Sequence, residues 1–430
     1  MKLWQKPSAP DQKVETFTVG RDKEFDLLLA AHDLNGTRAQ AGVLAAAGLL
    51  SEEEHEKILR VLQDVQHSLD LGVFVIEDNV EDVHSQIELL LTRALGDVGK
   101  KIHAGRSRND QVLTAIKLFI RDELKKTGVQ VEALFELLLR KSEEHKAVLL
   151  PGYTHLQAAM PSSFGLWFGA YAESLSDDLE LLIAAYNVAD RNPLGSAAGY
   201  GSSFPLDREL GTQLMNFGGT NVNAVYAQMT RGKTEKFAAV ALAALGATLA
   251  RLGMDVCLYM GQNFNFISFP DALTTGSSIM PHKKNPDVFE LIRARGNRLQ
   301  SLPNELSLLT TNLPSGYHRD LQLTKEILFP AFRELNDCLE MAAFMLQHIS
   351  VKDDLLEDER YNYLFSVETV NRQVLEGIPF REAYRNVGMA IEAGVFRPEK
   401  NLAHTHLGSI GNLGTEKIRE DFQKRLAALK

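Results

Sequence analysis

The chain has 430 residues, 45% of them hydrophobic and 24% charged, with a formal net charge of −10 and a pI near 5.7. That length buries a large core and divides into two or three domains, and that composition belongs to a soluble globular protein. The acidic balance argues against a nucleic-acid binder, which carries a basic excess or stripe, so the basic residues must be read locally.

In chain order, the opening "MKLWQKPSAPDQ" has polar residues and prolines where a signal peptide needs an unbroken apolar region. A cytoplasmic protein without a membrane segment is expected. The first hundred residues carry short-helix signals such as "LSEEEHEK", in which Ser51 can cap a helix and Glu54 complete a capping box. Longer patterns follow. Residues 112–149 contain no proline, and Val112, Ile116, Phe119, Leu124, Val131, Leu134 and Leu138 recur mostly at helical spacing. At 1.5 Å per residue this predicts a rod of roughly 55 Å.

Residues 162–189 form another helical stretch, 230–260 a second rod, and 286–302 a third that Pro303 interrupts. The most apolar window, "FAAVALAALGATLA", is 14 residues long, short of the about 20 that a membrane span needs. It reads as a buried helix whose alanines allow close helix-to-helix approach. Rods with apolar residues on more than one face usually bury them against copies of themselves, so an oligomeric helical bundle is expected. Cys257 and Cys338 each sit in an apolar helical pattern and are expected to be buried free thiols. Beyond Ile349 the pattern changes to short helices and loops, ending in "HTHLGSIGNLG".

Some motifs fail on inspection. Gly232-Lys233-Thr234 has the tail of a phosphate-binding loop, but the glycine required five residues earlier is Ala227. "GYGSSF" lacks the last glycine of a dinucleotide fingerprint. His404 and His406 have no Cys, Asp or Glu at a metal-motif spacing, which favours a surface or structural role.

Three polar blocks stand at rod ends: "HAGRSRNDQ" (103–111), "PGYTHLQ" (151–157) and "TTGSSIMPHKKNPDVFEL" (274–291). Far apart in one chain, they can meet when chains pack antiparallel. In the third, Gly276 between small residues predicts a mobile lid over 274–279. Asn285 and Pro286 predict a helix cap and first helical position, whose free N–H groups favour negative charge. Lys283 and Lys284 add two cations, so an anion belongs there. With no Ser-His-Asp signature and no cysteine nucleophile, stabilisation of a developing carbanion or carboxylate dianion fits better than an acyl-enzyme.

These blocks resemble the fumarase/aspartase superfamily, whose third block reads G-S-S-x-M-P-x-K-x-N. Within it "GRSRNDQ", "PGYTHLQ", "GSSIMPHKKNPD" and "YHRDLQLTKE" are similar to the argininosuccinate lyase family, and the resemblance runs from "MKLW" through "EDVHSQIE" to "PFREAYRNVG". It implies an all-α, three-domain fold (1–105, a central long-helix bundle 106–352, and 353–430) assembled as a homotetramer with sites shared between chains. It implies anti elimination of argininosuccinate to arginine and fumarate, through an aci-carboxylate dianion, with no cofactor, metal, nucleic acid or membrane. By motif, Ser277 is the base; Lys283 and Asn285 hold the carboxylate whose charge grows; His155 is either the acid or a stabiliser that orients the substrate; and Glu290 pairs with His155. Arg108, Asn109, Thr154, Gln157, Tyr317, Gln322 and Lys325 match substrate-contacting positions.

There are departures from the family pattern. Its N-terminal segment carries a serine that touches the substrate, in something like "FNASISFD"; here "FTVGRDKEFD" stands in its place, with Thr18 or Arg21 as substitutes. Gln86 replaces the asparagine of "HMNIE", and Ala158 and Met160 stand where polar residues are common. The alternatives left open are a related lyase acting on another, for example N-acylated, succinyl-substituted nitrogen, and a non-catalytic crystallin-like scaffold.

Overall fold

A computed structural model describes residues 11–429, so "MKLW" and most of the opening segment lie outside the described residues. Seven helices organise the rest: α1 (Ala30–Ala46), α2 (Glu52–Asp70), α3 (Arg108–Glu144), α4 (Phe164–Ala189), α5 (Lys233–Met260), α6 (Asp287–Leu299) and α7 (Thr324–Gln347). The molecule is mostly helical, though not wholly so. A hairpin of β1 (Leu149–Thr154) and β2 (Gln157–Ser163) joins α3 to α4, and β3 (Ile267–Ser268) pairs with β4 (Ser350–Val351).

The long rods form as the periodicity predicts, with shifted ends. α3 starts at Arg108 because Ser107 caps it in a capping box with Asp110, and it stops at Glu144, so the expected helix at 145–149 is a turn and the start of β1. The third rod is two helices: α6 ends at Leu299, and Pro303 lies in the first turn of a separate helix, Leu302–Leu309, where a proline is tolerated. Ser51 and Glu54 form the expected capping box on α2.

α3 packs along α4, and α5 packs along α6 and α4, with α7 laid across α3, α5 and α6. The α5–α6 approach depends on glycine: a Cβ at Gly296 would lie 2.4 Å from the Gly246 carbonyl oxygen, and one at Gly246 would lie 2.9 Å from that of Gly296. α5 is 28 residues, longer than the apolar window suggested, and by length and composition alone it could cross a membrane; 56% of its most apolar stretch is buried inside this fold. One large core runs through these helices, and a separate small cluster of Val370, Ala383, Val387 and Phe396 serves the C-terminal region. The C-terminal helix Thr415–Leu426 returns to α3, stacking Phe422 on Phe135 with ring centroids 3.7 Å apart. Both cysteines are free, but only Cys338 is buried; Cys257 is half-buried. Large apolar side chains remain exposed on the long helices, among them Phe237, Val240 and Met254 of α5, Leu291 of α6, and Met341 and Phe344 of α7.

Candidate active site

The N-terminus of α3 is anchored from two sides. Asp110 accepts from the Ser107 N–H at 2.9 Å through one oxygen, and from the N–H groups of Gly195 and Ala197 at 3.0 and 2.8 Å through the other. This fixes Arg108 and Asn109 on the first helical turn, facing a cavity of about 260 Å³ that is also lined by Tyr317, Gln322 and Lys325. Five of the expected substrate contacts thus meet in one chain, although α7 supplies Lys325 from more than two hundred residues away.

The cavity is a lattice of paired charges. Arg108 donates to Gln111 at 2.7 Å and Ser85 at 2.8 Å, and its Nε lies 3.4 Å from Asp82. Arg319 pairs with Glu81 at 3.2 Å, and Arg231 with Glu235 at 2.8 Å. Lys325, 3% exposed, sits 2.5 Å from both Asp22 and Asp26. Gln322 donates to the carbonyls of Thr18 and Val19 at 3.1 and 3.2 Å. His84 also lines the cavity, with its Nδ1 2.8 Å from Asp33, and Gln111 donates to the same carboxylate at 3.0 Å. Burial works to raise the Asp82 and Asp33 carboxyls, but Arg108 and His84 for Asp82, and chiefly His84 for Asp33, more than offset it, and both end below their ordinary values. At Asp22 burial wins over Lys325, and the carboxyl is raised.

The second block is the tip of the β1–β2 hairpin. Thr154 pairs with Gln157, leaving His155 and Leu156 as a two-residue turn, both at positive φ (54° and 58°) as the tightest hairpin turns require. Neither is glycine or asparagine, so each carries backbone strain on the order of 1 kcal/mol or more. All four of these residues are exposed, and His155 has no ion-pair or hydrogen-bond partner among the described residues.

The third block is a loop closed by backbone pairing of Thr275 with Asn285, whose N–H donates to the Thr275 carbonyl at 2.8 Å. The Asn285 side chain donates to Thr275 Oγ1 at 3.2 Å and to the Gly276 carbonyl at 3.3 Å, so it braces the loop and is not the helix cap. α6 begins one residue later than expected, with Pro286 at the cap position. Gly276 is not among the residues with positive φ, so its backbone does not use the left-handed region. Ser277 Oγ accepts from the N–H groups of Met280 at 3.1 Å and Ile279 at 3.4 Å. Lys284 is ion-paired with Asp271. Lys283 is exposed and makes no ion pair among the described residues. Lys283, Asn285 and Glu290 line a groove of about 540 Å³ distinct from the first cavity. Glu290 lies 3.9 Å from Arg293 and makes no contact with His155 within the chain, because the hairpin tip reaches into neither space.

The family model described as "Lyase" matches residues 9–300. An argininosuccinate lyase of Phocaeicola vulgatus is 57% identical over 417 residues, spanning 97% of this chain and 94% of that protein. One of Stenotrophomonas maltophilia is 38% identical over 425 residues, 98% of each chain. The chain belongs to the argininosuccinate lyase family. Among solved structures, an EDDS lyase variant with bound fumarate superposes with a TM-score of 0.76 at 21% identity, covering 99% of this chain and 91% of that one. Class II fumarase of Schistosoma mansoni gives 0.72 at 19%, covering 93% and 91%. At those identities the likeness is one of fold.

Within this argininosuccinate lyase family member the N-terminal departure resolves differently from expectation. Thr18 does line the cavity, with its hydroxyl donating to the Val14 carbonyl at 2.9 Å, but Arg21 turns to Glu24 at 2.7 Å. Counted back from the Phe-Asp pair shared by "FNASISFD" and "FTVGRDKEFD", the two serines fall at Asp22 and Glu24, and of these Asp22 lines the cavity. Asp22, Asp26, His84 and Asp33 were missed by motif reading. A signal existed for the first two, whose spacing of one helical turn puts both carboxylates on one face.

Proposed function

We propose that the chain cleaves argininosuccinate to arginine and fumarate, as a carbon–nitrogen lyase of arginine biosynthesis. The observation that carries this reading is the asymmetry of the third block: Ser277 Oγ receives two backbone N–H groups while Lys283 makes no ion pair among the described residues, beside Lys284, which is spent on Asp271. Donors aimed at Ser277 stabilise an alkoxide, and a free cation nearby stabilises the growing carboxylate charge. Ser277 takes the proton from the carbon beside the carboxylate, and the electron pair moves into that carboxylate, which Lys283 and Asn285 hold. The aci-carboxylate then collapses, the C–N bond breaks, and the departing guanidinium nitrogen gains a proton. His155 at the strained hairpin tip serves as that acid or orients the substrate, with Glu290 as its partner across a subunit boundary.

The cavity holding Arg108, Asn109, Tyr317, Gln322 and Lys325 takes the amino-acid end, and Thr154 and Gln157 approach with His155. Because cavity, hairpin tip and loop each stand apart within one chain, we infer a homotetramer whose sites draw on several chains. The exposed apolar residues of α5, α6 and α7 supply its central contact. The three-domain division and a cytoplasmic location complete the proposal. The test is fumarate release from argininosuccinate, followed by ultraviolet absorption, with adenylosuccinate, malate and aspartate as controls. Fumarate from argininosuccinate alone is expected; release from a control and none from argininosuccinate overturns it.

A further inference from the structure

The Asn285 side chain has two donors, and both are occupied inside the loop, on Thr275 Oγ1 at 3.2 Å and on the Gly276 carbonyl at 3.3 Å. A residue that is to hold a carboxylate must release one of them, and a third side chain decides which. Thr275 has a single hydroxyl hydrogen and donates it to Asp287, the first residue of α6. Toward Asn285 the hydroxyl can therefore only accept, so the amide must present its nitrogen there and cannot turn its oxygen inward. Donation to a carboxylate also makes the hydroxyl oxygen a better acceptor. Gly276 is exposed, so water can serve its carbonyl once the amide leaves. Asp287 is held in turn by its helix: two residues on, Phe289 is buried against Phe269, with ring centroids 5.6 Å apart.

We propose that Thr275 and Asp287 are positioning residues that act through Asn285: they keep one amide N–H on the Thr275 hydroxyl and leave the other to pass from the Gly276 carbonyl to the substrate's carboxylate. This rests on the function proposed above, in which Asn285 holds that carboxylate. The relay runs from a packed helix to an exposed loop, and it fixes the amide before substrate arrives, so binding does not have to order it. The exchange also has a direction. A carboxylate oxygen is a stronger acceptor than a peptide carbonyl, so the anion wins the second N–H. Gly276, the residue before Ser277, then loses its tie to Asn285 only when a carboxylate is in place.

The test uses binding, so that it does not depend on turnover. Fumarate and L-arginine are titrated calorimetrically into the full-length protein and its variants. Thr275→Val removes the hydroxyl at nearly constant volume and should weaken fumarate binding roughly 3- to 10-fold, the range for one neutral hydrogen bond, with arginine affinity unchanged. Asp287→Ala should do the same, because the hydroxyl is then free to turn. Thr275→Ser keeps the hydroxyl and should restore normal fumarate affinity. In Asn285→Ala, which keeps Lys283 for the charge, adding Thr275→Val should cost nothing further, since no amide is left to position. Undiminished fumarate binding in Thr275→Val, a serine variant as weak as the valine one, a full further loss in the Asn285→Ala background, or no fumarate binding by the unaltered protein overturns the proposal. Fumarate release from argininosuccinate, measured in parallel, separates the two readings: the expected binding pattern without release leaves this inference standing and removes the reaction, and release without that pattern does the reverse.

Discussion

The cavity at the start of α3 and the loop before α6 are both rich in charge, and they treat it in opposite ways. In the cavity each of four cations has a carboxylate, and the lysine among them is almost wholly buried. In the loop one lysine is paired, the other has no ion pair among the described residues, and most of the chain from Thr275 to Lys284 is exposed. A preformed network costs nothing to organise when substrate arrives, whereas an open loop can still move over it. On the function proposed above, the cavity is the half of the site that a single chain would complete, and the loop the half that would wait for substrate and neighbour.

If that division holds, the two halves separate under mutation. Ser277→Ala is expected to lower kcat by roughly 10²- to 10⁴-fold, the range for a proton-transfer group. Arginine affinity should not change, and stability should stay within about 0.5 kcal/mol, because the side chain is only half-buried on a loop. Calorimetry of arginine binding beside a fumarate assay reads both at once. Loss of arginine affinity in this variant would erase the distinction between the halves.

Within the loop, the contrast between its two lysines gives a finer test. Lys283→Met should cost about 10²- to 10³-fold in kcat, as removal of a group stabilising developing charge does. Lys284→Met should cost under about tenfold, since it loosens the loop only through Asp271. Equal losses in kcat/KM would mean that the unpaired lysine has been misread.

The same contrast explains what could be read in advance. The rods were legible because apolar spacing near 3.6 persists over many turns, and the loop was legible because serine, lysine and asparagine crowd between a glycine and a helix start. Their ends were not. His145 to Leu149 keeps a helix-compatible pattern, but α3 ends at Glu144, a turn follows, and only Leu149 enters the strand that pairs with β2. Asn285 has the chemistry of a cap, but the Thr275 hydroxyl and the Gly276 carbonyl compete for its side chain and win. The carboxylates of the cavity were least legible. Two acids one turn apart on a short helix usually face water, and what buries Asp26 is Lys325, 299 residues away in the chain. A pairing of that range has no local signature.

Sharing of the site between chains makes a smaller, arithmetical prediction. His155→Asn and Ser277→Ala carry their defects on the hairpin tip and the loop, which line no common cavity in one chain. Denatured together in equal amounts and refolded, the two variants should recover up to about a quarter of normal activity if the residues of one site come from different subunits that assort at random. Each alone should stay inactive. Absence of any gain in a refolded mixture, with tetramers verified by light scattering, means that the halves do not meet across subunits.

The smallest expected effect lies behind the cavity, where the pairing of charge is strictest. Lys117 on α3 is fully buried, with its Nζ donating to the Val188 carbonyl at 3.0 Å. Burial pushes its ammonium down to about 7 from 10.5, against the pull of Glu235, the same carboxylate that holds Arg231 at the cavity wall. Between those two values the unfolded chain holds a proton that the folded chain has released, so this residue makes the fold more stable as pH rises from about 7 to 10.5. The slope is on the order of 1 kcal/mol per pH unit for one proton. Lys117→Met keeps the length of the side chain and removes the titration. Its thermal midpoint, relative to that of the unaltered protein, should therefore be highest near pH 7 and fall steadily toward pH 10. A difference that stays constant with pH would mean that Lys117 keeps its charge in the fold, and that Glu235 supports two cations at once.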